Sequence, residues 1–152
     1  MAAGEIPGPR ILAATAPLTP PRGHCWFLGG EVNEPDQIRE QIRRNVSAGA
    51  DVIKVMASGG SLTPGGAQMW KPQFSTDELK LIVTEARAVG LPVASHAHGN
   101  SSIRASIDAG VDTIEHCTCL TGPGQFTRTA SWPATSLPRT SRFAPPTPTT
   151  DG

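Results

Sequence analysis

The sequence predicts an α/β fold in which parallel strands alternate with helices, and three observations carry that prediction. Short apolar runs of strand length recur, at Ala50 to Ile53, Val93 to Ser95 and Val111 to Glu115, and each leads into a polar residue: Lys54, His96 and His116. Between them lie segments with four-residue apolar spacing, the mark of an amphipathic helix. A glycine closes each helical segment at a near-constant distance from the next polar head: Gly49 lies five residues before Lys54, and Gly90 and Gly110 lie six before His96 and His116. Alternation of this kind favours right-handed crossovers between parallel strands, hence an α/β layer or barrel. In both, sites form at the C-terminal ends of the strands, so Lys54, His96 and His116 are expected at one rim. Four strands do not close a barrel.

The elements follow in order. Met1 to Arg10 is rich in Pro and Gly and reads as a connection, after which Ile11 to Ala14 is expected as a short buried strand. Pro17 to Gly30, with the cluster His24-Cys25-Trp26-Phe27, has the composition of a long functional loop, and His24 is a candidate to line a site. Pro35 suits the first turn of a helix whose apolar positions are Ile38, Ile42 and Val46 and whose stop is Gly49. After the Lys54 strand, Ala57 to Phe74 reads as a loop over a site, with Met69 and Trp70 as candidate ligand contacts. Ser75-Thr76-Asp77-Glu78 has capping-box spacing ahead of Leu79, Ile82, Val83 and Ala86, and Gly90 ends that helix. A shorter helix is expected from Ser101 or Ser102 to Ala109, built on Ile103 and Ile107 and stopped by Gly110. Beyond Leu120 proline and threonine dominate, with no acidic residue until Asp151 and no apolar period, so a disordered tail without strand or helix is expected.

Acids and bases balance at thirteen each, which gives no electrostatic reason to expect nucleic acid or an anionic membrane as partner. A small molecule is the expected partner. No run approaches the roughly 18 apolar residues of a membrane span, and the N-terminus lacks a secretory pattern. Cys25, Cys117 and Cys119 are too few and too odd in number for a disulfide framework, so free thiols and a cytoplasmic chain are expected.

Two imidazoles at adjacent strand ends, His96 and His116, suit zinc or a similar divalent ion, because neutral imidazole offers a lone pair. The alternative is that each is merely hydrogen-bonded. His98 shares strand parity with His96, so periodicity does not choose between them; the following Gly99 and Asn100 place His98 in the loop and favour His96. Lys54 as an ammonium has donors only, so it binds metal only after loss of its proton or conversion to a carbamate, and a salt bridge is the plainer reading. A separate zinc site at His116, Cys117 and Cys119 lacks a second ligand cluster. Ser58-Gly59-Gly60 matches no phosphate-binding motif and reads as a flexible loop. Cys117 beside His116 is a sequence neighbour only, which does not make a nucleophile and base.

With those residues in view, the segments GEIPGPRILAA, GHCWF, AGADVIKVMASGG, FSTDEL, LPVASHAHG and AGVDTIEHC resemble the amidohydrolase superfamily, in the branch of imidazolonepropionase-like and Xaa-Pro or Xaa-Arg dipeptidase-like enzymes. The resemblance covers about Gly4 to Leu120. It implies part of a (β/α)8 barrel of the TIM type, about four βα units resembling strands three to six. It implies a metal-dependent hydrolase of an amide or dipeptide carbon–nitrogen bond, with Lys54 carboxylated and His96 and His116 as further metal ligands, zinc by default. His24, Trp70 and His98 are then the candidates for substrate contact. Two features of the family pattern have no counterpart: a His-x-His pair ahead of Lys54, and a final-strand aspartate, since Asp151 lacks strand context. No catalytic residue is therefore assigned. Residues 1–120 are expected as a partial hydrolase domain and 121–152 as a tail arising from a frame change or truncated gene model. Catalysis by the isolated chain is not expected. The competing expectation is a non-catalytic half-barrel that forms a homo-oligomer through its open strand edges.

Overall fold

The computed structural model describes residues 8–9, 11–63 and 65–126. Helix α1 (Pro35–Ser47) starts with proline in its first turn and a capping box between Glu34 and Gln37. Ile38 and Ile42 are buried, but Val46 faces solvent at 38% exposure. A strict four-residue spacing drifts around a helix of 3.6 residues per turn, and by its third member it has left the buried face. Asn45 takes that place, donating to the Ala16 carbonyl at 2.8 Å and accepting from Gln41 at 2.9 Å. Helix α2 (Thr76–Ala88) begins as the sequence predicts: Ser75 Oγ accepts from the Glu78 N–H at 3.2 Å, and the Glu78 carboxylate accepts from the Ser75 N–H at 2.7 Å. Its expected stripe of Leu79, Ile82, Val83 and Ala86 is buried. Helix α3 (Asn100–Ala109) starts a residue earlier than expected and ends at Gly110, whose φ of 80° is the left-handed stop.

The strands are β1 (Ile53–Met56), β2 (Val93–Gly99), β3 (Thr113–Gly122) and β4 (Gln125–Phe126), in the sheet order β1-β2-β3-β4. β1, β2 and β3 are parallel, and β4 returns antiparallel to β3. Alternation sorts the side chains. Ile53, Val55, Val93 and Ala97 join Ile42, Leu79, Ile82 and Ile103 in the core beneath the helices. Lys54, Ala94, Met56 and His96 lie on the opposite face, since Lys54 pairs with Ala94 and Met56 with His96.

Three expectations are corrected. Ile11 to Ala14 is not a strand, and Ile11 and Leu12 are exposed. The chain instead meets β1 at Leu18, which is fully buried and exchanges two backbone hydrogen bonds with Lys54 and Met56 at 2.8 and 2.9 Å. Flanking prolines hid this contact, because Pro17 and Pro20 cannot donate to a ladder and a single paired residue has no period. The strands also run past their expected ends: β1 continues two residues beyond Lys54, and His98 lies within β2, not in a loop. Finally, pairing continues after Leu120, where Pro123 and Gly124 turn the chain into β4. Residues 127–152, which hold most of the expected tail and Asp151, lie outside the described residues. Among the described residues no helix is long and apolar enough to cross a membrane.

Candidate functional site

The face of the sheet turned away from the helices carries a cavity of about 400 Å³, lined by His24, Cys25, Lys54, Met69, His96, His98, Glu115 and His116 among others. Its residues come from all three parallel strands and from two loops. β2 supplies His96 and His98, two apart and therefore on one face. His96 is 6% exposed, and its Nε2 lies 3.1 Å from the Gly59 carbonyl. A carbonyl only accepts, so Nε2 carries the proton and the lone pair is on Nδ1. Burial pushes this imidazole down to about 3, with the Gly59 hydrogen bond opposing and the other three histidines reinforcing the shift. His98 is held by its own N–H, which donates to Ser58 Oγ at 3.0 Å, and by Thr118 Oγ1 at 3.0 Å from Nδ1. Burial lowers its pKa as well.

His116 reaches the same face by an unusual route. In register it pairs with Ala97, whose side chain is in the core, so plain alternation would send the imidazole toward the helices. Its φ of 68° is left-handed, and the ring instead stacks on His98 with centroids 4.7 Å apart and stands 4.7 Å from His96. Cys117 and Cys119 are left-handed too, and between Ala97 and Gly99 the register shifts as β3 bulges. The ligand atoms of His96, His98 and His116 all lie within 4.8 Å of one another.

Lys54 stands beside them with its side chain 12% exposed, and its Nζ is ion-paired with Glu115. This is the carboxylate contact that a lysine at this position makes in its plainer reading. Glu115 was not singled out in the sequence; its register partner His96 puts it on the site face, a relation that only the strand pairing reveals. Burial lowers the Lys54 ammonium to about 8, against the attraction of Cys25.

His24, from the loop after Leu18, is 3% exposed and its ring centroid lies 4.6 Å from that of His96. Thr63 Oγ1 lies 3.1 Å from Nδ1 and accepts from the Cys25 N–H at 2.9 Å, while the His24 N–H donates to Gln73 at 2.7 Å. The ring packs directly on Gly60, where an added Cβ would fall 2.3 Å from it. Ser58, Gly59 and Gly60 thus form a support under three imidazoles, a role that no motif signalled. Trp70 is not among the cavity's lining residues, and its backbone packs on Gly99; its neighbour Met69 does line the cavity.

Two buried imidazoles with lowered pKa, His96 and His98, and the exposed imidazole of His116 form a donor set that fits a divalent ion. Lys54 as an ion-paired ammonium offers no lone pair, and joins that set only as a carbamate.

The model of the amidohydrolase family matches residues 1–141. The ochratoxinase of Aspergillus niger is 35% identical over 113 residues, which cover 73% of this chain and 23% of that protein. Among solved structures, a Xaa-Pro dipeptidase with bound methionine superposes with a TM-score of 0.71 at 34% identity, covering 77% of this chain and 32% of that one. The A. niger ochratoxinase structure superposes with a TM-score of 0.67 at 31% identity, covering 78% and 33%. The chain spans about a quarter of the length of the curated relatives it matches.

Proposed function

The chain belongs to the amidohydrolase family, and from that premise we propose that it is part of a divalent-metal-dependent hydrolase of an amide or dipeptide carbon–nitrogen bond. The observation that carries this reading is the meeting of His96, His98 and His116 within 4.8 Å of one another beside Lys54. The similarity to Xaa-Pro dipeptidase and prolidase structures supports a dipeptide as the substrate class.

In this reading His96 and His116 hold the ion, zinc by default, and Lys54 joins them as a carbamate after releasing Glu115. The ion supplies a lowered pKa for bound water and polarisation of a carbonyl. His96 stays neutral because burial disfavours its charge, and the Gly59 carbonyl fixes which nitrogen carries the lone pair. His24 and His98 face the cavity as contacts for a substrate, with Thr63 and Gln73 holding the His24 loop.

Zinc titration of the full chain in bicarbonate buffer, followed by calorimetry, tests this. One saturable site is expected, lost in His96→Asn and His116→Asn and kept in His98→Asn. No saturable binding by the parent chain, or loss in His98→Asn with retention in His116→Asn, would overturn the assignment. The full chain is expected to hydrolyse no proline dipeptide, because no His-x-His pair precedes Lys54; zinc-dependent turnover by a homogeneous sample would refute that part.

A second reading, a non-catalytic half-barrel that self-associates, is favoured by one observation. Trp26, Phe27 and Leu28 form a single 3-10 turn and are 44%, 55% and 51% exposed.

A further inference from the structure

Cys117 and Cys119 are used by neither reading of the site. Both thiols are free, Cys117 exposed and Cys119 only 5% exposed. They lie in the bulge of β3, where the register shifts and where Cys117 and Cys119 have φ of 46° and 57°. An extended strand would hold residues i and i+2 near the upper end of the Cα separation a disulfide spans. The left-handed φ values of Cys117 and Cys119 turn their side chains out of the ordinary strand directions. Cys119 Sγ reaches back to Cys117 and donates to its carbonyl at 3.4 Å.

We propose that Cys117 and Cys119 form a two-thiol modification site that closes to an intrachain disulfide by exchange with a low-molecular-weight disulfide such as oxidised glutathione. Cys117 attacks one sulfur of the small disulfide, forming a mixed disulfide and releasing one glutathione thiol. Cys119 then attacks the Cys117 sulfur and releases the second. The two protein thiols lose two protons and two electrons, and the small disulfide takes up both to become two thiols. The exposure pattern matches these roles, since only the attacking sulfur must meet the reagent, while the resolving sulfur must be close and shielded. Cys25 is buried in a different part of the chain beside His24 and is not a partner. The pair begins one residue after His116, so closure constrains the backbone that carries that imidazole.

The test treats the native full chain with oxidised glutathione, quenches with acid, and measures intact mass followed by tryptic mapping. Cys117 and Cys119 fall together in the peptide 105–128, and Cys25 falls in the peptide 23–39. The expected product has lost two hydrogens in peptide 105–128 and carries no glutathione. In Cys119→Ser the same treatment should stop at a glutathionylated Cys117, while Cys25→Ser should behave as the parent. A stable glutathione adduct on the parent Cys117, a bridge to Cys25, or no reaction at Cys117 would each overturn the proposal.

Discussion

His96 is 6% exposed with its Nε2–H committed to the Gly59 carbonyl, so protonating its ring places a charge where water does not reach. The ordinary value of 6.5 falls to about 3 in the fold, chiefly by burial. Between those values the unfolded chain binds a proton that the folded chain refuses. Stability is therefore fully present above about pH 6.5 and declines as pH falls toward 3, with a ceiling of about 5 kcal/mol at about 1.4 kcal/mol per pH unit. Urea unfolding of the metal-free chain at a series of pH values from 7 to 4 should show this decline, and His96→Gln should flatten most of it. An unchanged slope in His96→Gln would mean that the acid sensitivity comes from elsewhere. His96 and His116 were legible in the sequence because each ends an apolar run at a repeated distance from a glycine. Glu115 and Thr63 were not, because their places depend on strand register and on a loop fold that leave no periodic trace.

Helix α2 shows how far local signals carry. Its start, stripe and stop were readable because a capping box, a 3.6-residue period and a terminal glycine are all encoded within the element. Ser75→Ala removes the oxygen that accepts the Glu78 N–H and leaves the Glu78 carboxylate without its hydroxyl partner at 2.7 Å. The expected loss is about 1 kcal/mol in urea unfolding, with Ser75→Asp, which restores an acceptor at the cap, losing only a few tenths. Equal losses in both variants would show that the cap is not what Ser75 supplies. The Leu18 contact illustrates the opposite case. Its two hydrogen bonds to β1 are tertiary, and the apolar Ile11 to Ala14 segment nearby offered a stronger local pattern that the fold leaves exposed. Likewise Val46 fits a spacing rule but not a helical face.

For the molecule as a whole, three parallel strands and three helices build one side of a barrel-type layer, with the candidate site on the face away from the helices. That arrangement followed from the alternation of strand and helix signals. What alternation could not supply is which surface the chain leaves uncovered. Trp26 and Phe27 meet edge to face with centroids 6.3 Å apart, each about half exposed, beside the equally exposed Leu28. Covering the exposed half of each large side chain would contribute about 1 kcal/mol, enough for a weak contact between copies when several residues act together. Sedimentation velocity over a concentration series should then show reversible association of the full chain. The double substitution Trp26→Ser and Phe27→Ser should weaken it by at least about tenfold, without altering the far-UV circular dichroism, since neither side chain belongs to the buried core. The zinc binding proposed for His96 and His116 should be unaffected by that double substitution. A chain that sediments as a monomer at every concentration removes the self-associating reading and leaves the metal site to stand or fall on its own titration.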